Sequence, residues 1–182
     1  MNYLRASTVT GLLAVGMFSQ AAMAQTGGSG MSATSVPAAD KKFAMMAAEN
    51  DLAELQISNM ALQKSNNEQV KQLAQKLIDD HTKTTNSMKD IASKQGLTLP
   101  TQPDAKHQAL ATKLQNESGE KFDKDYLTAN SMDHHKVVKA FEKEASDGKD
   151  PEIKGFASQY LPAIQEHTKM IDDDKGQMSG SK

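Results

Sequence analysis

The chain has 182 residues, with 21 Lys plus Arg against 23 Asp plus Glu, no cysteine, no tryptophan and 4% aromatic residues. This slightly acidic balance argues against nucleic acid as a partner, and with Arg5 as the only arginine there is almost none of the planar fork that grips phosphate. The lack of cysteine excludes a disulfide framework and a lipid-attachment site, and no glycine-rich phosphate loop is visible.

Arg5, the apolar run from Val9 to Met17 and the small-x-small sequence Ala22-Met23-Ala24 predict a secretory signal peptide over residues 1–24, with Gln25 as the first mature residue. The apolar run is too short to span a bilayer, and no later stretch approaches the ~20 apolar residues that a transmembrane helix needs. The expectation is a periplasmic or secreted protein, soluble after cleavage and lacking a transmembrane segment. Residues 25–39, rich in Gly, Ser, Thr and Ala, read as a flexible leader.

From Asp40, expected as an N-cap, Phe43, Ala47, Glu54, Ile57 and Ala61 recur on one helical face, predicting a helix over 40–64. Asn66-Asn67 interrupts the pattern. The next helix, 67–95, carries Val70, Leu73, Leu77, His81, Thr84, Met88 and Ile91 on its stripe, with Gly96 as the stop. Pro100 and Pro103 bracket a connector, followed by a short helix over 104–117 that Ser118-Gly119 ends. Helix 120–146 aligns Leu127, Ser131, His134, Val138, Phe141 and Ala145; helix 151–173 aligns Ile153, Ala157, Tyr160, Ile164, His167 and Ile171. Pro162 removes one backbone hydrogen bond from this last helix and predicts a kink before His167. No segment alternates with period two. Residues 174–182 read as a disordered tail.

Each long helix therefore seats one ionisable, ligand-capable residue on its apolar stripe: Glu54, His81, His134 and His167. At ~1.5 Å rise per residue, all four fall at a common depth to within ~8 Å. His107 and His135 lie off the stripes, so solvated surface is their expected place, as it is for Glu142, Lys143 and Glu144. Asp80, Asp133 and Glu166 each directly precede a stripe histidine; adjacent helical residues point about 100° apart, so these acids are expected to orient an imidazole from a neighbouring helix or to face solvent.

The phrases Asp79-Asp80-His81-Thr82, Gly119 to Tyr126, Asp133-His134 and Leu161 to His167 resemble those of the domain of unknown function 4142 family. That resemblance covers roughly residues 40–171. It implies an exported bacterial protein with a ferritin-like four-helix bundle and a short extra helix between helices 2 and 3, and it implies no particular activity. The family's common label of predicted outer-membrane protein fits poorly here, because the chain has neither barrel strands nor a lipid-attachment cysteine.

Ferritin-like architecture raises the question of a di-iron site, which needs Glu-x-x-His on two helices. The residues three before His81, His134 and His167 are Ile78, Ser131 and Ile164, so the motif is absent. Three histidines and a carboxylate instead suit one zinc, copper or iron ion with nitrogen and oxygen ligands. The competing account is a metal-free hydrogen-bonded network that fixes helix register in a structural or stress-related interaction module of the envelope. An enzyme using a bound metal is the third class, but no nucleophile elbow, catalytic carboxylate pair or cofactor fingerprint favours it. Met60 and Met88 sit at core spacing, and no Met/His repeat supports thioether ligation.

Overall fold

The computed structural model describes residues 35–180, so the expected signal peptide and most of the expected leader lie outside the described residues. All regular structure among the described residues is helical: α1 (Ala38–Lys64), α2 (Glu68–Gln95), α3 (Ala105–Gln115), α4 (Gly119–Asp147) and α5 (Pro151–Gly180).

Local chemistry sets most of the boundaries. Asn67 caps α2, its side chain accepting from the backbone N–H groups of Gln69 and Val70, and Gly96 ends it at φ 66°, a conformation that glycine adopts without penalty. Asp104 caps α3 by accepting from His107 N at 2.9 Å. Asp150 accepts from Glu152 N and Ile153 N at 3.0 Å each, with Pro151 in the first turn of α5.

Asp40 does not play the expected role. The cap position of α1 is Pro37, which makes no side-chain cap bond. Asp40 is buried in the first turn and accepts from the backbone N–H groups of Lys149 and Asp150, tying the α4–α5 connection to the start of α1. The expected tail is also helical for most of its length. α5 continues to Gly180, Gln69 donates to Gln177 at 2.9 Å, and Met178 packs against the core. A third departure is Glu144, which is buried rather than solvated; burial raises its pKa.

The four long helices close a ring, α1 against α2, α2 against α5, α5 against α4 and α4 against α1, while α3 lies across α1 and α4. The core inside the ring is split in two. One cluster gathers Ile57, Leu73, Leu77, Phe122, Leu127 and Ile171; the other gathers Phe43, Met88, Phe141, Ile153, Phe156 and Ile164. On every long helix the polar residues fall between these groups: Glu54 between Ala47 and Ile57, His81 between Leu77 and Met88, His134 between Leu127 and Phe141, His167 between Ile164 and Ile171. The core is thus a polar layer between two apolar ones.

Candidate metal centre

Three of the four expected residues meet in that layer. The rings of His81, His134 and His167 form a near-equilateral triangle, with centroids 5.8 Å (His81–His134), 5.5 Å (His81–His167) and 5.8 Å (His134–His167) apart. One nitrogen from each ring lies within 4.8 Å of one from each of the others, and all three residues are buried. An ion held at about 2.0–2.1 Å by tetrahedral nitrogens separates them by about 3.4 Å. The rings are therefore close to the spacing of a single site.

Each ring is held from outside by a group that can only accept. His81 Nδ1 donates to Asp51 Oδ1 at 2.8 Å, His134 Nδ1 to the Asn130 carbonyl at 3.1 Å, and His167 Nε2 to Asp80 Oδ2 at 3.0 Å. These bonds place a proton on the named nitrogens and fix the tautomers. The nitrogens left over, His81 Nε2, His134 Nε2 and His167 Nδ1, are buried and have no hydrogen-bond partner. The carboxylates are anchored in turn: Asp51 Oδ2 accepts from Thr84 at 2.7 Å and Thr85 at 3.3 Å, and Asp80 is held by Lys76 and by Lys83 at 2.8 Å.

The electrostatics follow from burial and these partners. Burial drives the His134 pKa well below its ordinary value, and neighbouring His81 and His167 add to the effect. Burial likewise lowers His167 to about 4, against the opposing pull of Asp80. Burial lowers His81 too, but the Asp51 carboxylate outweighs it and leaves the pKa raised. For Asp80, burial is overcome by hydrogen bonds from Lys76, Lys83 and His167, which hold the carboxyl well below its usual range.

Glu54 stands beside this group. It is buried, burial raises its pKa to about 7, and it lines a cavity of about 20 Å³ together with His81, His134 and Asn130. Ser58 Oγ donates to its Oε1 at 3.5 Å and is itself bonded to the Tyr126 hydroxyl at 2.9 Å.

His107 is not the surface residue expected. α3 presses it inward, 8% exposed, onto the same cavity, where its Nε2 lies 3.4 Å from Asp133 Oδ2 and its Nδ1 3.0 Å from Asp104 Oδ1. Its stripe was unreadable because α3 is short and packs sideways on the ring. His135 is exposed as expected and pairs with Asp172 at 2.9 Å. Of the three acids beside stripe histidines, Asp80 and Asp133 do serve histidines on other helices, whereas Glu166 is exposed. Asp51 and Asn130 escaped the sequence reading. Asp51 had a signal, sitting three residues before Glu54 and so on the same face of α1.

The family model for the domain of unknown function DUF4142 matches residues 25–173. The chain belongs to the DUF4142 family. No protein of curated function matches it. Two solved structures share the fold: a DUF305 fragment from Deinococcus radiodurans, at 14% identity and TM-score 0.70 over 79% of this chain and 99% of that one, and a DUF305 protein from Streptomyces coelicolor, whose name proposes that it is secreted, at 15% identity and TM-score 0.66 over 78% of this chain and 94% of that one. Among the described residues no helix is long and apolar enough to cross a membrane.

Proposed function

We propose that this DUF4142 protein is an exported, ferritin-like four-helix bundle that binds one transition-metal ion through His81, His134 and His167, with Glu54 as a fourth, oxygen-donating ligand. One observation carries the reading: three buried imidazoles stand within 4.8 Å of one another, each fixed by an outer acceptor and each left with an unpartnered nitrogen. A buried polar atom without a partner costs about 1–3 kcal/mol, and three in one place are hard to sustain unless something takes up their lone pairs. Outer acceptors that set the tautomer of a ligating imidazole are what metal sites require.

The donor set favours zinc, copper or iron over calcium or magnesium, which take oxygen ligands. The acidic residues Asp51 and Asp80 increase imidazole basicity from outside and place negative charge beside the three imidazoles. Export is supported by the Ala22-Met23-Ala24 sequence and agrees with the name of the Streptomyces relative.

The test is thermal melting of the chelator-treated protein with and without zinc, copper(II) and iron(II). An ion that binds only the folded state stabilises it by ~2.7 kcal/mol at a hundredfold excess over its Kd. His134→Leu is the sharpest variant, because the His134 ring bonds only a helix carbonyl and its removal strands no partner. The variant should fold and lose the metal-induced shift. A wild-type melting temperature that none of the three metals moves sinks the proposal and leaves the metal-free register network in its place.

A further inference from the structure

A buried centre can be loaded only through the protein, and its surroundings are not equally closed. Along the ring axis the two apolar clusters seal it. On the α2–α5 side, His167 is shut off by Asp80, which Lys76 and Lys83 hold in place. The 20 Å³ cavity is not lined by His167; His81, His134 and Glu54 line it, and so do His107 and Asp133.

The part of the lining made by His107 and Asp133 differs from the apolar seals and from the Asp80 side in two ways. It is made by ligand-capable side chains, and one of them comes from α3, an 11-residue helix lying outside the ring of long helices. His107 Nδ1 is buried and makes no hydrogen bond, although Asp104 Oδ1 is 3.0 Å away, and Asp104 is 41% exposed. A line of ligand-capable groups therefore leads from solvent at Asp104 through His107 and Asp133 to Glu54 and the three histidines.

We infer that His107 and Asp133 form a transient metal-binding station under α3, through which the ion enters and leaves the centre. This rests on the metal-centre reading of the three histidines. An imidazole and a carboxylate 3.4 Å apart can share an incoming cation with water still attached. Asp133 supplies the attraction; Lys106 and Lys136, at 2.6 Å and 3.3 Å from its Oδ1, are the resident cations that the ion displaces. Glu54, the proposed oxygen ligand, lines the same cavity, which has room for about one water. A group on the route alters the barrier and not the two end states, so it must change loading and release equally and leave affinity untouched.

The experiment follows cobalt(II) uptake by its visible absorption in rapid mixing, and its release to excess chelator, in the full chain and in His107→Leu and Asp133→Asn. The expected result is that both rates fall by about tenfold in each variant, a barrier change of ~1.4 kcal/mol, while Kd stays within about twofold. Unchanged rates in the variants overturn the route, and so does a Kd that rises through release alone, which makes His107 part of the resting site. If His107→Leu loses its cooperative melt, Asp133→Asn decides by itself. Wild-type protein that takes up no cobalt, zinc, copper or iron refutes the centre and the route together, whereas normal uptake with unaltered variant kinetics refutes only the route.

Discussion

The apolar layers and the polar layer of this core are built on opposite terms. In the apolar layers every buried side chain gains from its neighbours, as with the edge-to-face pair of Phe43 and Phe141 at 4.8 Å or the fully enclosed Leu77, Phe122 and Ile171. One helical turn away, the polar layer buries three imidazoles, two of them with pKa values driven down, and leaves three of their nitrogens unpartnered. The difference teaches that the two apolar layers supply the stabilising burial, while the layer between them leaves buried imidazole nitrogens unpartnered.

Two substitutions, one in an apolar layer on α2 and one in the polar layer on α4, make the contrast measurable. Leu77→Ala, at a site with no exposure, should destabilise the protein by about 2–5 kcal/mol in a denaturant titration. His134→Leu should, without metal, leave stability unchanged or raise it by about 1–3 kcal/mol, because it removes a buried orphan. A loss for His134→Leu as large as that for Leu77→Ala would break the comparison.

Glu54 gives a pH-dependent version. Its folded pKa of about 7 exceeds its ordinary value of 4.5, so the folded state holds the proton more tightly than the unfolded one. The stability it contributes is present below pH 4.5 and is lost as pH rises through 7. Glu54→Gln, which cannot ionise, should melt like the metal-free wild type near pH 5 and become the more stable by up to about 3 kcal/mol at pH 8. His167 works in the other sense: with a folded pKa of about 4, its contribution is present above its ordinary value of 6.5 and is lost as pH falls towards 4. Acid unfolding of the metal-free protein should therefore become shallower between pH 6.5 and 4 in His167→Leu.

Smaller effects sharpen the assignment of the supporting groups. Asp80→Asn keeps an acceptor for His167 Nε2 but removes the charge, and should weaken metal binding by about 10–100-fold in a competition titration. At the surface pair His135–Asp172, His135→Ala should change stability by less than about 1 kcal/mol and metal affinity not at all. Equal losses of affinity at His135 and Asp80 would mean that metal binds at the surface.

The helical class and the four long helices are written in the sequence, because period-3.6 stripes are a local property and Asn67, Gly96 and Asp104 punctuate them by bonds within a few residues. The three histidines were legible for the same reason: an ionisable residue on an apolar seat stands out against its stripe, and counting along four helices puts such seats at one depth. What tertiary structure alone decided is everything that depends on how helices sit beside one another. It gave Asp80 to His167 across 87 positions and Asp51 to His81 across 30, drew Asp40 away from its own helix end, and turned His107 from the surface into the wall of the cavity. Those pairings follow from helix rotation and the seating of α3, which a few degrees or one ångström can change, and neither quantity is encoded in residue spacing along a single helix.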